Sequence, residues 1–202
     1  VNLNKEKIKI GFLSPDFYKS HSITYFIKNL IKDFKQTKFE THGLSLIKIE
    51  EHDETTEVLK DLFDNWSDLG EKTEQETITT IQNLNIVLVD LAGLWSSNKI
   101  DIFNTRICPL QISWLGFNNS TGMKEVDFIL ADVNTVKDEE KYYGSKIYKF
   151  PRIWNSHCGF KIERFFNELP IKRNGYITFG SLNNFMKINE EVLDVWINIL
   201  KK

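Results

Sequence analysis

Asn85-Ile86-Val87-Leu88-Val89-Asp90-Leu91 is the stretch from which the fold can be read. Its apolar run is continuous, so side chains on both faces of a strand would be buried. That pattern suits the middle of a parallel sheet with cover on each side. Just upstream, Thr73 and Glu76 have capping-box spacing ahead of Ile78, Ile81 and Leu84, which predicts a helix feeding this strand. Working outward, Lys7 to Leu13 reads as a short buried strand that ends at Ser14-Pro15-Asp16. Ile23, Phe26, Ile27, Leu30, Ile31 and Phe34 then recur at helical spacing. Phe39 to Leu46 predicts a second strand and Thr55 to Phe63 a helix. Short strands follow at Leu110–Trp114, Phe128–Ala131 and Lys146–Phe150. Strand–helix alternation of this kind defines the fold class as α/β, with a doubly wound parallel sheet.

The pattern breaks between Pro151 and Gly175, a polar and aromatic segment punctuated by Pro151, Gly159, Pro170 and Gly175, which reads as a linker. Tyr176 to Ser181 then predicts a new strand. Asn189 caps a helix carrying Val192, Val195, Trp196, Ile199 and Leu200. The expected organisation is a first domain at 1–151, a linker at 152–175 and the start of a second α/β domain at 176–202.

The 202 residues are 41% hydrophobic and 27% charged, as in an ordinary globular protein, and the net charge of −2 gives no electrostatic case for nucleic acid or an anionic membrane. No apolar run approaches the ~20 residues of a membrane span, and Val1 to Lys9 lack the apolar core of a signal peptide. Cys108 and Cys158 are too few and too far apart for a disulfide framework, so a reducing cytoplasm is the expected setting. Neither they nor His21, His42, His52 and His157 show zinc-ligand spacing, so no metal is expected. Phosphate-binding loops and nucleophile elbows are absent. The run Glu50-Glu51-His52-Asp53-Glu54 reads as a solvated loop.

The candidate chemistry lies on loops that follow strands, where an open α/β sheet places its crevice. His21 follows the first strand; it either accepts a proton or bonds a sugar hydroxyl, or it simply bonds backbone at the helix start. Asp16 orients a neighbouring group or shapes the turn. Asp90, at the end of the central strand, contacts ligand or caps loop amides, because an unpaired carboxylate there is costly. Gly93 permits close backbone approach or makes a turn. Gln111-Ile112-Ser113-Trp114-Leu115-Gly116-Phe117-Asn118-Asn119-Ser120-Thr121-Gly122 ends in small polar residues whose hydroxyls and amides suit a sugar or phosphate. Lys187, between a strand and a helix, is a solvated lysine or the cation of a diphosphate site. Asn183 and Asn184 donate to a phosphate or base, or make the turn.

Five segments occur in the order found in the catalytic region of the O-GlcNAc transferase and SPINDLY family of protein glycosyltransferases. Lys9-Ile10-Gly11-Phe12-Leu13-Ser14-Pro15-Asp16-Phe17 with His21-Ser22 resembles that family's opening strand and histidine loop. Val87-Leu88-Val89-Asp90-Leu91-Ala92-Gly93 is similar to its "LVDLAG" strand. Cys108-Pro109-Leu110-Gln111-Ile112-Ser113-Trp114-Leu115-Gly116-Phe117 through Ser120-Thr121-Gly122 resembles its "APVQVSWLGYPGTTG" signature. Val126–Asp132 and Tyr176–Lys187 follow suit.

The resemblance implies the N-terminal Rossmann-like half of a GT-B glycosyltransferase, with the start of its second domain. It implies sugar transfer with inversion to Ser or Thr hydroxyls of acceptor proteins, with no metal or other cofactor. The implied donor is a nucleotide sugar, UDP-GlcNAc first and GDP-fucose as the SPINDLY-type option. His21 and Lys187 become the catalytic residues; Ser120, Thr121, Gly122, Asn184, Asp90 and Gly93 become donor-binding residues. Tetratricopeptide repeats usually precede this region in the family. Two departures stand out. Asn118-Asn119 replaces the usual Pro-Gly, and Leu94 stands where many bacterial relatives have His. The family's main nucleotide-binding residues lie beyond Lys202, so these 202 residues alone are expected to be inactive. The alternatives are a nucleotide-sugar epimerase of similar architecture and a catalytically degenerate protein-binding module.

Overall fold

The computed structural model describes residues 7–19, 21–35, 37–94, 100–137, 140–159 and 167–201. The chain divides into two compact units, 1–160 and 161–202.

In the first unit every strand pairs in parallel. The strands are β1 (Ile8–Ser14), β2 (Phe39–Ser45), β3 (Asn65–Asp68), β4 (Val87–Asp90), β5 (Leu110–Ser113), β6 (Phe128–Asp132) and β7 (Lys146–Phe150). They form one seven-stranded sheet in the order β3-β2-β1-β4-β5-β6-β7. Helices α1 (Ser22–Phe34), α2 (Glu54–Leu62) and α3 (Glu74–Leu84) connect the first four strands. The doubly wound sheet expected from the alternation is therefore present.

Strand alternation sends neighbouring side chains into two separate cores. Phe12 and Val89 join Ile23, Ile27 and Ile31 of α1 and Leu59 of α2. Leu13 and Leu88 point the other way, into a cluster with Ile81 of α3, Ile102 and Phe103. Each fully buried Ile or Leu contributes roughly 1.5–3 kcal/mol of transfer free energy. The same 4-residue spacing that marks α1 in the sequence puts Ile23, Ile27 and Ile31 at no more than 2% exposure.

Caps fix where the helices start. Thr73 Oγ1 accepts from the Glu76 amide at 3.3 Å, and Glu76 Oε2 accepts from the Thr73 amide at 2.8 Å, the reciprocal box expected from the spacing. The acidic run departs from expectation. Ile49–Glu51 forms a 3-10 turn and Asp53 N-caps α2 rather than sitting in a solvated loop. The edge strand β3 has no sequence signature; it is recruited by pairing with His42–Ser45 of β2, and Trp66 packs over Gly43.

The second unit contains α4 (Pro170–Asn174), a 3-10 turn at Phe185–Lys187 and α5 (Glu190–Leu200). Asn189 Oδ1 accepts from the Val192 amide at 3.0 Å, so the expected cap is present. No strand forms at the expected Tyr176–Ser181: Tyr176 lies in a bend, the rest is irregular, and the segment joins no sheet. A parallel strand exists only through hydrogen bonds to neighbours, and the described residues 167–201 hold none. Tyr176, Ile177 and Phe179 accordingly remain 64–67% exposed.

Candidate active site

The strand order reverses between β1 and β4, so the crevice of the sheet opens at their carboxyl ends. The ends of β1, β4 and β5 are locked together there: the Leu91 amide donates to Leu13 O at 3.0 Å, and the Trp114 amide donates to Asp90 O at 2.9 Å. The ends of these three strands and the loops that follow them carry six of the eight residues to which the resemblance assigns catalytic or donor-binding roles.

After β1 the chain turns tightly. Ser14 Oγ accepts from the Asp16 amide at 3.0 Å, and Asp16 O accepts from the Tyr18 amide at 2.9 Å. The loop is then pinned from the side by α2. Thr56 Oγ1 donates to Phe17 O at 2.8 Å, and the Lys19 amide donates to Asp53 Oδ2 at 2.7 Å. Burial raises the Asp53 carboxyl, but amide hydrogen bonds from Lys19, Thr56 and Thr55 outweigh it and hold the group below the usual aspartate range.

His21 is the N-cap of α1. Its Nδ1 accepts weakly from the Ile23 amide at 3.4 Å and lies 3.7 Å from Asp16 Oδ2. Its Nε2 has no hydrogen-bond partner among the described residues, and the side chain is 36% exposed. The histidine thus bonds backbone on one edge and presents the other. Asp16 is 7% exposed; burial pushes its carboxyl above the ordinary range, and His21 opposes this.

Asp90 is 2% exposed and accepts from the Ala92 amide at 3.2 Å and the Gly93 amide at 2.8 Å. Its carboxylate shapes the loop after β4. Gly93 has φ +64, and a Cβ there would lie 2.2 Å from Phe117 Cβ. A Cβ on Gly116 would lie 2.1 Å from Leu91 O. Both glycines therefore permit the β4 and β5 loops to touch. Between them Leu115 has φ +80, and the Gly116 amide donates to Trp114 O at 3.1 Å. This is a γ-turn of the rare positive-φ form, a strained conformation of a kind that clusters at functional sites.

Further along, Ser120 Oγ accepts from the amides of Gly122 at 3.3 Å and Gly144 at 3.4 Å, while Thr121 Oγ1 accepts from the Met123 amide at 3.3 Å. Both hydroxyls keep a proton to donate. Asn118 Oδ1 is buried and has no donor among the described residues.

The sequence did not reveal the strap at 151–159. The Trp154 amide donates to Asp132 Oδ2 at 3.0 Å, and Trp154 O accepts from Trp114 Nε1 at 2.9 Å. The Cys158 amide donates to Tyr25 O at 2.8 Å, and His157 stacks on Tyr25 with ring centroids 5.3 Å apart. These contacts fasten the strap to α1, to the end of β6 and to the residue that follows β5. Trp154, Trp114 and Asp132 carry the signal, and nothing in their spacing pairs them.

Lys187 and Asn184 belong to the second unit. Asn184 Oδ1 accepts from the Met186 amide at 3.0 Å, making the turn, and Lys187 ends that turn with an exposed side chain. Cys108 is buried, its thiol pushed up to about 12 by desolvation, so it is no nucleophile; Cys158 is also a free thiol. Among the described residues no group of His, Cys, Asp and Glu is arranged to hold a metal ion.

A Rossmann-type switch point carrying a histidine loop and a polar, glycine-punctuated loop defines the class of protein. The chain belongs to glycosyl transferase family 41, whose profile matches residues 1–154. It is similar to proteins named probable UDP-N-acetylglucosamine–peptide N-acetylglucosaminyltransferase SPINDLY. The Arabidopsis thaliana protein is 29% identical over 199 residues, covering 96% of this chain and 21% of the relative. The Hordeum vulgare protein is 28% identical, covering 95% and 21%. An Arabidopsis thaliana protein of the same transferase name, SEC, is 21% identical, covering 98% and 21%. Among solved structures, a Thermobaculum terrenum O-GlcNAc transferase mutant superposes with a TM-score of 0.86 at 25% identity, covering 99% of this chain and 38% of the other. The chain thus spans about a fifth of the length of these curated relatives.

Proposed function

We propose that this chain is part of a protein O-glycosyltransferase that moves a sugar from a nucleotide sugar to Ser or Thr hydroxyls of acceptor proteins. The observation that carries the proposal is the family 41 match across 1–154, which includes every loop at the sheet's crevice end. UDP-GlcNAc is the donor that the relatives' names support. GDP-fucose is the donor to test beside it, because the SPINDLY relatives are 28–29% identical to this chain and SEC is 21% identical.

In this reading an acceptor hydroxyl attacks the anomeric carbon in line with the departing diphosphate, inverting the configuration. His21 Nε2 receives the hydroxyl proton, and Lys187 balances charge on the leaving group, an electrostatic contribution concentrated in the transition state. The hydroxyls of Ser120 and Thr121 and the amide of Gly122 bind the sugar. Asp90 and Gly93 act through the loop they shape, and Asn184 holds the turn that presents Lys187. Among the described residues no helix is long and apolar enough to cross a membrane. From the two widely spaced cysteines, we place the reaction in the cytoplasm.

Incubating the full-length gene product with acceptor peptides and either donor, followed by intact-mass analysis, tests the proposal. A sugar increment on Ser or Thr that is lost in His21→Ala and Lys187→Ala is expected. A released, altered sugar nucleotide with unmodified peptide would instead identify an epimerase. The 202-residue chain alone is expected to transfer nothing.

A further inference from the structure

The β1–α1 loop contains a carboxylate that the loop itself does not use. Turn geometry is supplied by Ser14 Oγ and by the Asp16 carbonyl, and the lateral anchors come from Asp53 and Thr56. The Asp16 carboxylate makes no hydrogen bond to any described residue, although its side chain is only 10% exposed. A buried carboxylate without a donor is costly. The polar side-chain atom recorded beside it is His21 Nδ1, at 3.7 Å.

Two partners compete for that nitrogen. The Ile23 amide, at 3.4 Å, requires a bare Nδ1, which puts the ring proton on Nε2 and leaves the exposed edge able only to donate. The Asp16 carboxylate requires the proton on Nδ1, which leaves Nε2 bare. Neither contact is closed, so a small ring rotation selects between them. A hydrogen bond to an ionised group is roughly twice as strong as a neutral one, and α1 has a second tie at its cap, Thr24 Oγ1 to His21 O at 2.8 Å. The Tyr18 ring, 5.7 Å from the imidazole, offers no rival base. Burial, with Asp16 and Glu51 adding to it, pushes its hydroxyl above the ordinary tyrosine range.

We propose that Asp16 is a positioning residue that holds the His21 proton on Nδ1 and so leaves Nε2 as a proton-accepting edge facing the crevice. Its role in catalysis rests on the transferase reading above. In that reaction the acceptor oxygen bonds to the anomeric carbon, and its proton passes to Nε2. The bond from the anomeric carbon to the diphosphate oxygen breaks, with its electron pair leaving on the phosphate. The Nδ1 proton stays between His21 and Asp16 throughout.

Long-range 1H–15N spectra of the imidazoles in the 15N-labelled chain, at a pH where the ring is neutral, read the tautomer directly. His21→Asn identifies the signals by their loss. The Nδ1–H form is expected in the wild type. Asp16→Ala and the isosteric Asp16→Asn should both switch the ring to the Nε2–H form, and either variant that folds suffices. A wild-type ring already in the Nε2–H form and unmoved by these changes overturns the proposal. In the full-length protein, Asp16→Ala should lower kcat on the order of 100-fold with acceptor KM little changed. Sugar transfer that continues at an unaltered kcat overturns the dyad and leaves the transferase reading intact. The expected tautomer switch without any wild-type transfer overturns the transferase reading and leaves the dyad intact.

Discussion

Helices α1 and α5 have the same grammar and different fates. Each starts at a side-chain cap, His21 or Asn189, and each carries an apolar stripe at helical spacing. In α1 the stripe's Ile23, Ile27 and Ile31 are buried, with Phe26, Leu30 and Phe34 partly buried against the same cluster; in α5 Val195, Trp196, Ile199 and Leu200 remain 38–70% exposed and no residue is buried. The difference comes from their surroundings. α1 lies against a sheet whose strands present Phe12 and Val89, whereas in residues 167–201 the segment Tyr176–Ser181 belongs to no sheet. A cap and a stripe specify a helix, but the free energy of burial exists only when a second surface meets the stripe.

Substitutions on the two helices and in the crevice loops test whether burial makes the difference. Ile27→Ala, in the buried stripe of α1, is expected to cost about 2–5 kcal/mol, read as a lower denaturant midpoint with an unchanged slope. Asn118→Leu should move the other way, raising stability by about 1–3 kcal/mol and with it the midpoint, because it removes a buried acceptor that has no donor among the described residues. A loss of stability would mean that water or another donor already serves that oxygen.

Asp53→Ala should cost about 0.5–2 kcal/mol, since it removes the α2 cap and the anchor of the Lys19 amide together. The same carboxylate makes a pH prediction. Its folded pKa lies below the unfolded value of about 3.9, so its stabilisation is present above that pH and is lost as pH falls through the folded value. The Asp53→Ala penalty should therefore shrink in acid melts below about pH 4. The smallest effect is expected for Ile199→Ala, within about 0.5 kcal/mol. A cost as large as that of Ile27→Ala would show that the α5 face is covered in solution and would erase the contrast.

The crevice end of the first unit differs from its core in a related way. Asp53 and Asp90 are hydrogen-bonded to amides, while the Asp16 carboxylate and Asn118 Oδ1 are not. The sequence distinguished none of these four. The sequence leaves Asp90 open to a ligand or a cap role, and the structure puts the Ala92 and Gly93 amides on it. Asp53 lay in a run read as solvated. Such assignments depend on which amides the turn happens to direct at a carboxylate, and residue spacing does not encode that direction.

Much of the first unit was nonetheless legible in local terms. Continuous apolar runs marked β4 and its neighbours, a 3.6-residue period marked α1, and Thr73 with Glu76 marked the start of α3. Each signal reports a local property of the backbone, so each survives without knowledge of the fold. The edge strand β3, the strap at 151–159 and the unpaired state of Tyr176–Ser181 were not legible. Each depends on contacts between segments distant in the chain: β2 for β3, Asp132 and Tyr25 for the strap, and absent sheet neighbours for the last. The sequence by itself determined the α/β alternation, the helix starts and the loops that carry His21 and Ser120. The position of His21 Nδ1 between the Ile23 amide and the Asp16 carboxylate came only from the folded chain, because the turn that sets it is pinned from the side by Asp53 and Thr56, more than 30 residues away.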